Sequence, residues 1–133
     1  MSMRRTVMVV DNDRDIIDLT RMILEGSGYC VMAADSGSEA LRLLEGNHPD
    51  LIILDINMPE MDGWQVLRML KIDRTTSAIP VAMFSIKSEV RDRLQGMQDG
   101  ALDYITKPFS CDELVDRVHA IFDSLGANER ATS

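Results

Sequence analysis

Short apolar runs alternate with stretches of helical period along this chain, and the alternation recurs five times. Thr6–Val10 is a β-rich run, and Arg14–Ser27 then places Ile16, Leu19, Thr20 and Ile23 on one helical face. Gly28 ends that helix and Tyr29–Ala33 predicts a second strand. Ser36 with Glu39 three residues on forms a capping box, opening a helix through Asn47 with a buried stripe of Ala40, Leu41 and Leu44. His48-Pro49-Asp50 breaks it before the third strand, Leu51–Asp55. Trp64–Ile72 is helical, burying Val66, Leu67 and Leu70; Asp73–Pro80 is a polar connector, and Val81–Ser85 is a fourth strand. Glu89–Gln98 predicts a fourth helix stopped by Gly100, and Asp103–Thr106 a fifth strand. Ser110 and Glu113 form a second capping box, launching a helix that carries Leu114, Val118, Ile121, Phe122 and Leu125.

Five such β–α units predict an α/β fold: a doubly wound, five-stranded parallel sheet with five helices on its two faces. Right-handed crossovers point every strand the same way, so all strand C-termini share one edge. Open sheets bind ligands at that edge, where the strand order reverses.

Composition adds limits. The chain has 133 residues, enough for one domain with a real core, here expected over residues 4–125 with a polar, frayed tail at 126–133. Its net charge of −8 and the lack of any basic cluster argue against nucleic-acid binding by this chain. No apolar run approaches the ~20 residues of a membrane span, and the N-terminus offers no signal peptide. Cys30 and Cys111 match no metal-ligand spacing and are expected to be reduced thiols of a cytoplasmic protein. The ten scattered methionines are expected mostly to fill gaps in the core.

The candidate chemistry collects at the shared edge. Strand one ends in Asp11-Asn12-Asp13, strand three in Asp55, strand four in Ser85 and strand five in Lys107-Pro108. A carboxylate at the tip of a buried strand is costly unless a cation or hydrogen bonds satisfy it. Oxygen ligands around an open position suit Mg²⁺, which keeps waters and bridges to phosphate. Lys107 and Ser85 can hold phosphoryl oxygens, and Asp55 can act as a nucleophile that forms an acyl phosphate.

Val9-Val10-Asp11, Leu54-Asp55-x-x-Met58-Pro59-x-Met61-Asp62-Gly63, Ser85, and Gly100-Ala101-x-x-Tyr104-Ile105-x-Lys107-Pro108-Phe109 together resemble the receiver domain of two-component response regulators. The likeness spans about Arg4 to Leu125. It implies a flavodoxin-like fold with strand order 2-1-3-4-5. It also implies that Asp55 accepts a phosphoryl group from a histidine kinase or phosphotransfer protein, and that the Lys107-Pro108 bond is cis. The same resemblance makes Asp11, Asn12, Asp55 and the backbone carbonyl of Asn57 the Mg²⁺ ligands. Ser85 and Tyr104 become a switch that reshapes a face of helix four, strand five and helix five for a downstream protein. Such a domain is a signalling receiver that catalyses only its own phosphorylation and dephosphorylation.

Three positions depart from the family pattern. Asn12 stands where a second acid is usual, which removes charge from the cation's shell and predicts weaker Mg²⁺ binding, with Asp13 compensating through a water. Ile86 is stiff and bulky where a small residue is common. Lys87 occupies a position that tunes dephosphorylation in the family.

Two competing functions follow from the same residues. One is a receiver that docks partners without being phosphorylated. The other is a haloacid-dehalogenase-type phosphatase with Asp11 as nucleophile and Asp13 as acid.

Overall fold

The computed structural model describes residues 4–86 and 100–132, with the side chains of 85, 86 and 127–132 outside that description. The expected helix Glu89–Gln98 and Lys87 lie outside the described residues. The elements are β1 (Thr6–Val10), α1 (Arg14–Gly26), β2 (Cys30–Ala34), α2 (Gly37–Leu44) and β3 (Leu51–Asp55). They continue with α3 (Gly63–Ile72), β4 (Val81–Ile86), β5 (Asp103–Lys107) and α4 (Cys111–Thr132). Four helices are thus described where the sequence predicts five. The strands form one parallel sheet in the order β2-β1-β3-β4-β5, as expected.

Strand alternation sorts the apolar residues into two cores. Met8, Val10, Ile52, Leu54, Val81 and Met83 face α2 and α3, joining Ala40, Leu44, Val66, Leu67 and Leu70. Val7, Val9, Leu51, Ile53, Ala82, Phe84 and Ile105 face α1 and α4, joining Leu24, Leu114, Val118 and Phe122.

The α1 stripe is rotated from the expected one. Ile17, Thr20 and Leu24 are buried, Ile16 and Ile23 only partly, and Leu19 is exposed. Both stripes keep the helical period, and the packing of α1 against the sheet selects the one centred on Ile17, Thr20 and Leu24. Asp13 caps the helix by accepting from the Asp15 N–H. Its C-terminus closes in a Schellman pattern: Gly28, at φ +96°, donates to the Glu25 carbonyl and Tyr29 to the Leu24 carbonyl.

Other boundaries move by a residue or more. β2 begins at Cys30, β4 reaches Ile86 and β5 includes Lys107. α2 stops at Leu44 instead of Asn47, whose side chain turns back to donate to the Leu43 carbonyl. Of its expected capping box only the Ser36 half forms, because Glu39 pairs with Arg42 through two short hydrogen bonds. α4 runs on to Thr132, past the Leu125 where the sequence places the start of a tail. The methionines divide: Met8, Met58 and Met83 are buried, whereas Met22 and Met69 are exposed. Trp64, at the start of α3, is buried. Cys30 and Cys111 are free thiols, both exposed. Among the described residues no helix is long and apolar enough to cross a membrane.

Candidate functional site

The edge where the strands end gathers three of the expected charged groups, and strand parity explains why. Asp11 continues the alternation of Val7 and Val9, Asp55 that of Leu51 and Ile53, and Lys107 that of Asp103 and Ile105. All three therefore emerge on the α1–α4 face, one step beyond its core. The Lys107 ammonium donates to Asp11 Oδ2 at 2.7 Å and to Asp55 Oδ1 at 3.2 Å. Asp11 is 1 % exposed and Asp55 5 %. Two buried carboxylates thus share one ammonium.

Asp11 is held from both sides. Its backbone N–H donates to the Ala34 carbonyl and its Oδ1 accepts from the Asp13 N–H at 2.9 Å. Asp13 itself is exposed and its carboxylate is taken by the α1 cap, so it does not face Asp11 as a second acid would. That placement removes the basis for a phosphatase built on Asp11 and Asp13. Asn12 is exposed beside the site, and Asn57 is exposed just past β3.

Burial raises the Asp55 carboxyl above its ordinary value, and the nearby Asp11 charge raises it further. Lys107 and the Asn57 backbone N–H oppose the rise without cancelling it. The resting site carries more negative charge than it can neutralise.

The loop after β3 is pinned so that this carboxylate stays at the rim. Asp62 caps α3 and forms a complete capping box with Gln65, each side chain accepting from the other's backbone N–H. The pattern Asp62-x-x-Gln65 carries the signal for it in the sequence. Gly63 donates to the Ile56 carbonyl at 2.9 Å. A Cβ at Gly63 would collide with the Asp55 carbonyl oxygen and come within 2.8 Å of Ile56 Cα, so only glycine lets α3 start this close to β3. Glu60 adopts φ +68°, which brings the Met61 N–H to the Pro59 carbonyl at 2.7 Å. Met58 and Met61 anchor the loop to the α2–α3 core.

The remaining expected site residues fall as follows. The Ser85 backbone pairs with Thr106, while its side chain and that of Ile86 lie outside the description. Tyr104 pairs with Met83, is buried, and belongs to the α2–α3 core, on the sheet face opposite Lys107. The Lys107-Pro108 bond is cis. Beyond it, the Phe109 ring stacks on Phe84 with centroids 5.6 Å apart and planes 5° from parallel. The Lys107 ammonium lies 5.1 Å from the Phe84 ring centroid. Phe84 is absent from the expected site residues, although it ends an apolar run beside Ser85 and adjoins Asp55 in the sheet.

The donor set can be tested against a divalent ion. Among the described residues no three His, Cys, Asp or Glu side chains cluster. The site instead offers two buried carboxylates, uncancelled negative charge, and nearby amide and carbonyl oxygens. That is a poor match to a closed all-protein cage but fits Mg²⁺, which binds through one or two carboxylates and retains its waters.

Comparison with known proteins agrees with this geometry. Residues 7–119 match the model of the response regulator receiver domain family. The transcriptional regulatory protein PrrA of Mycobacterium tuberculosis is 42% identical over 127 residues, which cover 96% of this chain and 54% of that protein. The alkaline phosphatase synthesis transcriptional regulatory protein PhoP of Bacillus subtilis is 41% identical over 119 residues, 90% of this chain and 49% of that protein. The chain therefore spans about half the length of these curated relatives. Among solved structures, the chemotaxis protein CheY4 of Vibrio cholerae superposes with a TM-score of 0.84 at 26% identity, covering 89% of this chain and 98% of its own. With the sheet order, the paired acids and the lysine that joins them all in register, the chain belongs to the receiver domains of the two-component response regulators.

Proposed function

We propose that Asp55 is the phosphoacceptor of this receiver and that a histidine kinase or phosphotransfer protein is its donor. The observation that carries this reading is the single ammonium of Lys107 bonded at once to Asp11 and Asp55. In the transfer, a carboxylate oxygen of Asp55 attacks phosphorus as the phosphorus–nitrogen bond of a phosphohistidine breaks, and the electron pair leaves with the imidazole. Asp55 becomes a mixed anhydride. Lys107 is placed to shift from the carboxylate to a phosphoryl oxygen, and Ser85 to donate to another. Mg²⁺, when bound by Asp11, Asn12, Asp55 and the Asn57 carbonyl, supplies neutralising charge to the phosphoryl group.

The switch in this reading couples Ser85 to Tyr104 and thence to a partner-binding surface that includes β5 and α4. The Tyr104 ring, buried on the opposite sheet face, gives the movement a second side of the sheet to alter. The downstream partner is a protein that binds one state of that surface better than the other. The cytoplasm, where kinases and thiols of this kind are found, is the proposed location.

Incubation with phosphoramidate and Mg²⁺, followed by intact mass, tests the proposal. A gain of one phosphoryl group in the wild type and none in Asp55→Ala is expected. No gain in the wild type would favour a receiver that docks unphosphorylated, and an undiminished gain in Asp55→Ala would refute the assignment.

A further inference from the structure

The ammonium of Lys107 has a third neighbour besides its two carboxylates. Phe84 is wholly buried, and its ring centroid lies 5.1 Å from Lys107 Nζ, within the range over which a cation is attracted to an aromatic face. The sheet sets this up. Phe84 adjoins Asp55 on one side and Ile105 on the other, and shares the α1–α4 face with Asp11, Asp55 and Lys107. Phe109 stacks nearly parallel on Phe84 at 5.6 Å, which fixes the plane that the ammonium meets.

From this arrangement we infer that Phe84 is a positioning residue for phosphoryl transfer: its ring, backed by Phe109, holds the Lys107 ammonium over the two acids through a cation–π contact. The inference rests on the reading of Asp55 as phosphoacceptor given above.

The ring supplies what the carboxylates cannot. When Asp55 turns from carboxylate into mixed anhydride, its anionic oxygen is consumed and the ammonium must move to a phosphoryl oxygen. A hydrogen bond to Asp55 changes at that moment, whereas attraction to a ring face needs no fixed direction and is unaffected by the charge of Asp55. The ammonium can therefore slide between partners without losing its place. An aliphatic residue of similar bulk would fill the core equally well and give no such hold. Cation–π strengths for partly desolvated sites correspond to a roughly two- to thirtyfold effect on rate.

The test is graded fluorination. Phenylalanine carrying one, two or three ring fluorines, incorporated at position 84, weakens the negative ring face stepwise with little change in volume. Phosphorylation by phosphoramidate and Mg²⁺ is followed by intact mass, and thermal unfolding is followed in parallel in wild-type and Lys107→Met backgrounds. The expected result is a phosphorylation rate that falls with each fluorine and reaches the Phe84→Leu rate at three. Thermal stability should fall along the series only when Lys107 is present. A rate independent of fluorination, or a wild-type rate in Phe84→Leu, overturns the positioning role. A stability series that is the same in Lys107→Met overturns the cation–π contact itself. A wild type that gains no phosphoryl group overturns the phosphoacceptor reading of Asp55 and the role together, while the thermal cycle still decides whether the ring holds the ammonium.

Discussion

Replacing Asp55 by asparagine should make the metal-free protein more stable, although it removes a buried ion pair. The magnitude follows from the site's geometry. Losing the Asp55–Lys107 attraction at 3.2 Å costs about 5 kcal/mol at an effective dielectric of 20. Against this, the Asp11 and Asp55 oxygens bond the same nitrogen at 2.7 and 3.2 Å and so lie no more than about 6 Å apart, a repulsion of roughly 3 kcal/mol. Removing a buried carboxylate's desolvation returns several kcal/mol more, about 4 here. The balance is a gain of about 1–2 kcal/mol, or roughly 3–8 °C in melting temperature. Its sign agrees with the raised Asp55 carboxyl, in which burial and Asp11 outweigh Lys107 and the Asn57 N–H.

The pH dependence of that gain is fixed by linkage. With a folded pKa above its ordinary 3.8, Asp55 binds more protons in the native state than in the unfolded state between those two values. Wild-type stability is therefore greatest, for this group, below the unfolded value and is lost as pH rises through the folded one. The advantage of Asp55→Asn should be absent near the acid end and full at neutral pH. Thermal melts in a chelating buffer from pH 4 to 7.5 measure it. Saturating Mg²⁺ should close or reverse the gap, since a ligand at a hundredfold its Kd stabilises the wild type by about 2.7 kcal/mol and the variant by less. An Asp55→Asn protein less stable than wild type at pH 7 without metal would refute the charge balance.

Three further substitutions probe the scaffold. Gly63→Ala should destabilise by about 3 kcal/mol or more, because its Cβ meets the Asp55 carbonyl and Ile56 Cα; a chemical denaturation midpoint near wild type would contradict the close approach. Thr20 is fully buried and its hydroxyl is without a hydrogen-bond partner among the described residues, so Thr20→Val should stabilise by about 1 kcal/mol, measured by urea unfolding with an unchanged slope. Glu60→Gly relieves a left-handed backbone at φ +68° and should stabilise by about 0.5–1 kcal/mol; a loss of stability would mean that the Glu60 side chain matters more than its backbone.

The fold was legible because parallel strands buried on both faces leave uninterrupted apolar runs. Leu51–Ile53–Leu54 announces itself, as do Val7–Val10. The acids and Lys107 were legible for the same reason: a charge at the end of such a run has nowhere to lie but the rim. What escaped was decided by tertiary choice. Leu19 is as apolar as Leu24, and only the position of β1 and β2 beneath α1 makes one exposed and the other buried. Asp13 looked like a site acid, yet its placement one residue before α1 turns its carboxylate to the helix N-terminus. Phe84 is one apolar residue of a six-residue strand as the sequence presents it. Its meaning depends on which face Lys107 reaches, and that is set by the register of β4 on β5.

The surplus charge at this rim bears on how a receiver can be both stable and responsive. A site in which one lysine fully neutralised one aspartate would gain little from a cation and would resist a phosphoryl group. Here Lys107 is divided between two buried acids, and the excess negative charge that weakens the metal-free fold is the same charge that a divalent ion would neutralise. Asn12 reduces that excess relative to a chain with a third acid, so Asn12→Asp should both bind Mg²⁺ more tightly and melt lower without it. The exposed position of Asn12 limits the electrostatic change to less than about 1 kcal/mol, a few-fold in affinity. Calorimetric titration of Mg²⁺ into the two proteins checks the first effect and chelated melts the second. Movement of only one would mean that metal affinity and resting stability are not set by the same charges.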